Sequence, residues 1–380
     1  MSDSKHYIPF NVPYLTGREM VYIVEAFQVH RKTSGNGYFT QLCHRYFGDN
    51  YGFDKTLLTT SCTDALEMSS LLAEIQPGDE VIVPAYTFVS TANAFALRGA
   101  KLVFADSESD TPNLDVQQVE ALITDKTKAV VPVHYAGMAV DMDPLMALAE
   151  KQGFYVIEDA AQAITSKYKD RYLGGIGHFG AFSFHETKNI IAGEGGLLTV
   201  NDDRFKDRAE IIWEKGTNRA AFYRGEVDKY GWVDIGSSFL PSEIVAAFLW
   251  AQLEQLERIQ ARRINIWQRY YDQLLPLKQA GKLKLPQVPA YATKNGHLFY
   301  VELESIQQRD EVIAALKQAD VNAVFHYLAL HRSPYFLDKH DGRTLPNADR
   351  WADCLLRLPL FYELSDAQVD RVVEVLGQIL

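Results

Sequence analysis

Short apolar runs rich in Val, Ile and Phe recur through the first two thirds of the chain, separated by stretches with helical periodicity. The runs are Val81-Ile82-Val83, Leu102-Val103-Phe104, Ala129-Val130-Val131, Phe154-Tyr155-Val156-Ile157, Ala181-Phe182-Ser183-Phe184 and Leu197-Leu198-Thr199-Val200. Continuous apolar runs of this length predict strands buried on both faces, as in a parallel sheet. Helical segments between several of them, such as 90–97 and 144–151, predict right-handed crossovers. The expected fold class is therefore α/β, with a mostly parallel α/β/α sandwich as its larger part.

From 242 to 253 the pattern is apolar almost all round, with Ile244, Val245, Phe248, Leu249 and Trp250. Such a helix belongs in a core or a subunit interface. A longer, more charged helix follows. Beyond Gly281 the pattern becomes a strand at Leu298-Phe299-Tyr300-Val301, a helix over 309–318, a strand over 321–325 and a final helix from Asp366, the alternation of a smaller α+β unit. At 380 residues the chain exceeds the size at which one core usually keeps growing. The expected division is a large domain over 1–255 and a small one over 256–380.

Composition narrows the function. A hydrophobic content of 47% without low-complexity runs fits a globular enzyme. A net charge of -11 argues against a general nucleic-acid binder, which needs a basic surface to displace counterions from phosphate. Met1-Ser2-Asp3-Ser4-Lys5-His6 lead into no apolar segment, and no stretch approaches the roughly 18 apolar residues of a membrane span. The expectation is a cytoplasmic protein without membrane partners. Cys43, Cys62 and Cys354 are isolated, and His326 and His331 lack the HExxH pattern, so neither a disulfide framework nor a metal is expected.

Candidate chemistry sits at the ends of the apolar runs. Glu158-Asp159-Ala160-Ala161-Gln162 closes one, and Ser183-Phe184-His185-Glu186-Thr187-Lys188-Asn189 closes the next. Pyridoxal phosphate requires a lysine for its Schiff base and an acid beside its pyridinium nitrogen, and Lys188 and Asp159 supply both. Singly, each has a plainer reading, as a solvated charge or a helix cap. Gly193-Glu194-Gly195-Gly196 follows Lys188 and signals a backbone that turns sharply or is closely approached. Ser61-Cys62-Thr63-Asp64 precedes a helical run; it is either a simple cap or a set of amides able to hold a phosphate, with Ser183 as a further hydroxyl. Tyr86 and Phe88 follow a strand at the edge where α/β folds bind ligands, and either could stack on a flat ring or belong to the core. Gly175-Ile176-Gly177-His178-Phe179-Gly180 matches GxGxxG, but it leads into a strand instead of opening a helix, which argues against a dinucleotide site. Lys215, Arg219, Arg224 and Lys229 lie in an irregular stretch with Tyr223, Tyr230 and Trp232. They suit a diphosphate or form a solvated basic loop.

These motifs, together with Ile8-Pro9-Phe10-Asn11, Pro77-Gly78-Asp79-Glu80-Val81, Pro132-Val133-His134-Tyr135-Ala136-Gly137 and His326-Tyr327, resemble the DegT/StrS group of sugar-nucleotide aminotransferases over nearly the whole chain. The resemblance implies the aspartate aminotransferase-like fold type I, with a seven-stranded sheet in the large domain, and pyridoxal 5'-phosphate as cofactor. It implies that Lys188 forms the Schiff base, Asp159 pairs with the ring nitrogen, Gln162 bonds the phenolic oxygen and Phe88 stacks on the ring. Thr63, Cys62 through its amide, and Ser183 would hold the phosphate. His134, Tyr135, Glu186, Lys215, Arg219, Arg224, Lys229 and His326 would face a nucleotide sugar and L-glutamate, in a homodimer with shared active sites. Many members carry Gly-x-Asn-x-Arg where this chain has Gly236-Ser237-Ser238-Phe239-Leu240, so Ser237 or Ser238 would replace part of a clamp on the partner's cofactor. Dehydratases of the same fold have histidine where Lys188 stands, and the intact Lys188, Asp159 and Gln162 set speaks against a non-catalytic sensor.

Overall fold

A computed structural model describes residues 7–380; Met1–His6, where the chain was read as leading into no apolar segment, lie outside the described residues. The strands in chain order are β1 (Lys55–Thr59), β2 (Glu80–Pro84), β3 (Lys101–Ala105), β4 (Thr127–Val130), β5 (Tyr155–Asp159), β6 (Lys167–Tyr168), β7 (Arg171–Tyr172), β8 (Phe179–Ser183), β9 (Gly196–Val200), β10 (Phe299–Glu302), β11 (Val324–Phe325) and β12 (Leu355–Leu358). Seven of them form the main sheet, in the order β1-β9-β8-β5-β4-β2-β3. Its pairings are parallel except for those of β9, which runs against both β1 and β8. The carboxyl ends of the other six strands therefore share one edge, and β9 begins at that edge with Gly196.

Helices cover both faces, as buried parallel strands require. One face packs against Tyr38–Tyr51, Met142–Gln152 and Glu243–Leu253, the other against Cys62–Leu72, Val89–Ala96 and Lys206–Trp213. Glu243–Leu253 is apolar all round because it lies between Glu19–Gln28 and Tyr38–Tyr51. Its first residue, Glu243, is buried and accepts from the amides of Gly37, Phe39 and Thr40 at 2.8–3.2 Å. The free amides of one helix start are thus satisfied by a carboxylate at the start of another.

A three-stranded antiparallel sheet, β10-β12-β11, is backed by Ile306–Gln318 and Asp366–Ile379. The last helix carries a complete capping box between Ser365 and Gln368. The 321–325 strand is shorter than its sequence predicts. Only Val324–Phe325 pairs with β12, while Val321 forms an isolated bridge with Ile8. β1 and β12 escape the apolar-run pattern for different reasons. β1 reads Lys-Thr-Leu-Leu-Thr and is buried by the helices around it, and β12 has an arginine, Arg357, in its middle. Among the described residues no helix is long and apolar enough to cross a membrane.

Candidate active site

Where β5 and β8 end, Asp159 and Lys188 line the same cavity, of about 660 Å³. Chain reversal at the sheet edge accounts for this: β5 delivers Asp159 as its last residue, and the loop after β8 folds back so that Glu186 N bonds Gly193 O and Ala192 N bonds Phe184 O. Cys62, Thr63, Phe88, Gln162, Ser183 and His326 also line the cavity.

Asp159 accepts from Thr91 Oγ1 at 2.7 Å and from Ala161 N at 3.1 Å. Burial raises its pKa, a shift opposed by these two donors and by the charge on Lys188. Burial also lowers the pKa of Lys188, which favours the uncharged, nucleophilic amine. Gln162 is held from both ends: Oε1 accepts from Ala136 N at 2.7 Å, and Nε2 donates to Tyr327 Oη at 3.1 Å. Phe88 is 54% exposed and stands at the cavity mouth. Cys62 opens the helix Cys62–Leu72, with Ser61 as its cap.

Asn295, fully buried, ties these segments together. Its Nδ2 donates to the carbonyls of Gln162 and Ile164 at 2.8 and 2.9 Å, and its own carbonyl accepts from Asn189 Nδ2 at 3.0 Å. Gly137, at φ +76°, passes so close that a Cβ there would lie 2.0 Å from Asn295 Oδ1. Because Asn189 Nδ2 donates to Gln260 Oε1 and Asn295 O, its Oδ1 is the atom facing His297 Nδ1, at 2.8 Å. That assigns the proton to Nδ1 of His297 and leaves Nε2 as an acceptor.

Not every expected residue reaches the cavity. His134 does not: it is wholly buried, Nε2 lies 2.9 Å from Glu158 Oε2, and Nδ1 accepts from Val140 N at 3.2 Å. The bridge between Val133 and Asp159 directs the next side chain into the interior. Tyr135 is one layer back, with its hydroxyl 2.9 Å from His326 Nδ1. Glu186 is exposed and outside the lining, as are Lys215, Arg219, Arg224, Lys229 and Ser238. Arg224 is paired with Glu226 and Glu210 at 2.7 and 2.8 Å. In the Gly175–Gly180 segment, the amides of Ile176 and Gly177, with that of Gly174, bond the carboxylate of Glu158. Conversely, Arg357 and His297 line the cavity without having been singled out by the sequence. The available signal for Arg357 was a lone cation within Leu355-Leu356-Arg357-Leu358.

A family model described as the DegT/DnrJ/EryC1/StrS aminotransferase family matches residues 15–377. The chain belongs to this family. It is accordingly a pyridoxal 5'-phosphate-dependent aminotransferase of fold type I. Among relatives of this family member, the spore coat polysaccharide biosynthesis protein SpsC of Bacillus subtilis is 33% identical, with 99% of this chain and 97% of that protein covered. An aminotransferase from Psychrobacter cryohalolentis superposes with a TM-score of 0.91 at 27% identity, covering 98% of each chain. A sugar aminotransferase, Spr1654, assigned putatively in Streptococcus pneumoniae and solved in its PMP-form, gives 0.89 at 27% identity, again over 98% of each.

The cavity of this aminotransferase fits its cofactor. A Cβ on Gly196 would lie 2.4 Å from the Ser61 carbonyl and 2.5 Å from Cys62 N. Only glycine there lets the helix start at Cys62 press against β9, at the wall of the cavity, where its amides and dipole could receive an anion such as the cofactor phosphate.

Proposed function

We propose that the chain transfers an amino group from L-glutamate to dTDP-4-keto-6-deoxy-D-glucose, giving dTDP-4-amino-4,6-dideoxy-D-galactose and 2-oxoglutarate. The observation that carries the reading is the joint presence of Lys188 and Asp159 in one largely buried cavity beside a helix start and an exposed aromatic ring. For the particular sugar, the support is sequence resemblance. The segments 182–189, 214–219, 224–230 and 234–238 look like those of the dTDP-4-amino-4,6-dideoxygalactose transaminase of enterobacterial common antigen synthesis.

When bound, pyridoxal phosphate supplies a carbon that carries the amine and a ring that withdraws electrons from the adjacent C–H bond. Lys188 would hold the cofactor through Nζ. As a free amine, Nζ would take the proton from the donor's α-carbon and later deliver one to C4 of the sugar. Asp159 would pair with the ring nitrogen, whose positive charge opposes the effect of burial on the carboxyl. Gln162 would offer its remaining Nε2–H to the phenolic oxygen, and Phe88 would cover the ring. Cys62 N, Thr63 and Ser183 would hold the phosphate, and His326, braced by Tyr135, would face the sugar.

A homodimer accounts for residues outside the cavity of their own chain. Met20, Val21, Val24 and Phe27 on Glu19–Gln28, together with Trp232, are exposed apolar side chains suited to a partner. Lys215, Arg219, Arg224, Lys229 and Ser238 would then serve the second subunit's nucleotide diphosphate and cofactor. We place the large cofactor-binding domain at 1–255 and the small one at 256–380, and the protein in the cytoplasm.

The test is an absorbance spectrum of the protein with pyridoxal phosphate, before and after glutamate, and then with the 4-keto sugar nucleotide. The visible band of the lysine-bound cofactor should fall with glutamate and return with the sugar. A band that glutamate removes and the sugar fails to restore would reject this sugar substrate. NMR of the product would show its configuration at C4; a gluco product would mean that Lys188 delivers its proton to the opposite face of the same keto sugar, and amination at C3 would move the assignment to a 3-keto sugar.

A further inference from the structure

Asp159 is backed by two buried threonines that touch no reacting atom. Thr87 lies in the turn between β2 and the helix Val89–Ala96, at the wall of the cavity, and Thr91 lies in the first turn of that helix. Their hydroxyls are 2.9 Å apart, and Thr91 Oγ1 donates to Asp159 Oδ2 at 2.7 Å. A threonine inside a helix ordinarily returns its hydroxyl to a carbonyl of the preceding turn. Thr91 instead reaches the end of β5, and its own oxygen meets the hydroxyl four residues back.

Only one order of hydrogens satisfies this row. With Asp159 ionised, Thr87 donates to Thr91 and Thr91 to Asp159, and each hydroxyl hydrogen has an acceptor. With a proton on Oδ2 the row reverses, and the Thr87 hydrogen is left without an acceptor among the described residues. A proton on Oδ1 would face another donor, the Ala161 amide at 3.1 Å. A buried donor left unmet is costly, so the row favours the ionised carboxylate. Burial raises the pKa of Asp159, and the Thr91 bond is the largest influence opposing it. The other titratable groups facing this carboxylate are Lys188, Cys62 and Tyr327 in the cavity lining and the buried His134. Among the described residues only Thr91 and the Ala161 amide are hydrogen-bonded to it.

We propose that Thr91, backed by Thr87, is the positioning residue that commits Asp159 to accepting, so that the proton shared with a bound cofactor rests on the ring nitrogen and not on the carboxylate. This rests on the reading that Asp159 pairs with that nitrogen. A protonated ring withdraws electrons from the breaking C–H bond more strongly than a neutral one. The hydroxyl row therefore acts on the rate without touching a substrate.

The experiment compares wild type, Thr91→Ser, Thr91→Val and Asp159→Asn. Each is loaded with pyridoxal phosphate isotope-labelled at the ring nitrogen, and nitrogen NMR reports whether that atom carries a proton. Loss of one hydrogen bond to an ionised carboxylate should move the ratio of protonated to neutral ring by about 10- to 100-fold towards neutral in Thr91→Val. Its kcat should fall by about 10-fold with KM for both substrates near wild type, and Thr91→Ser, which keeps the donor, should resemble wild type throughout. The cofactor-free protein gives a second readout. Ionisation of a carboxyl whose folded-state pKa is raised destabilises the fold as pH climbs from the unfolded value to the folded one, so the decline of urea stability with rising pH should extend to higher pH in Thr91→Val than in wild type. The proposal is overturned if the ring-nitrogen signal of Thr91→Val matches wild type, if its decline ends at the wild-type pH, or if Thr91→Ser is impaired as much as Thr91→Val, which would leave Thr91 a packing role. An Asp159→Asn protein with the wild-type ring-nitrogen signal would reject the pairing of Asp159 with the ring, whereas a shifted signal there and an unaltered one in Thr91→Val rejects only the role of Thr91.

Discussion

Glu158 and Asp159 are consecutive buried carboxylates at the end of one strand, yet they live in opposite conditions. Alternation along β5 sends them to opposite faces of the sheet. Glu158 accepts from four donors: Gly174 N at 2.8 Å, Ile176 N at 2.7 Å, Gly177 N at 2.6 Å and His134 at 2.9 Å. Asp159 has two, Thr91 and Ala161, and burial raises its pKa. The satisfied carboxylate organises a loop. The under-satisfied one, together with Lys188, keeps bonding capacity for something that arrives from outside. A fully bonded buried ion is structural, and an incompletely bonded one in a cavity marks a site under functional constraint.

The largest effect should come from the cavity side. Lys188→Ala should reduce turnover by at least about 10³-fold, since nucleophile and proton carrier disappear together, while circular dichroism and melting temperature remain near wild type. Retained turnover would remove Lys188 from the chemistry. On the opposite face, Glu158→Ala strands three amides and a histidine, and should cost about 3–5 kcal/mol in urea unfolding. A loss below about 1 kcal/mol would mean that water satisfies these groups and that the contrast between the faces is weaker than drawn.

Asp159→Asn sharpens the same comparison. Turnover should fall by about 10²-fold or more through loss of the charge beside the ring nitrogen, but stability of the cofactor-free protein should rise. The sign follows from the raised folded-state pKa. The folded protein holds this proton more tightly than the unfolded chain, so ionisation destabilises the fold as pH rises, and the amide removes that penalty. Equal stability of variant and wild type across neutral pH would contradict the raised pKa.

The smallest effect concerns His44, far from the cavity chemistry. Its Nε2 accepts from Leu58 N at 2.9 Å, and burial lowers its pKa to about 3. As pH falls from 6.5 towards 3, the unfolded chain takes up a proton that the folded protein refuses, so stability declines over that window. His44→Gln should flatten this part of the pH–stability curve; an unchanged slope would assign acid sensitivity elsewhere.

Lys188, Asp159 and Gln162 were legible because each lies within a few residues of an apolar strand that is itself recognisable. His134 was equally visible as a residue type, but its direction depended on the bridge between Val133 and Asp159, which no local pattern encodes. The GxGxxG run was correctly refused as a helix start, but its use as a cradle for Glu158 required β5 and β8 to be neighbours. β1 was invisible because its burial comes from covering helices and not from a long apolar run of its own.

The sequence by itself determined the alternation of buried strands and helices and the two strand-end motifs, since propensity, apolar periodicity and glycine punctuation are local properties. It also carried the family resemblance, which implied the same cofactor as those two motifs. Tertiary structure decided which polar groups share an environment. Arg357 lies 169 positions beyond Lys188 in the chain and meets the same cavity only because β12 pairs within a second sheet packed at the edge of the first. Charge burial depends on what surrounds a side chain from every direction, and those surroundings come from distant segments.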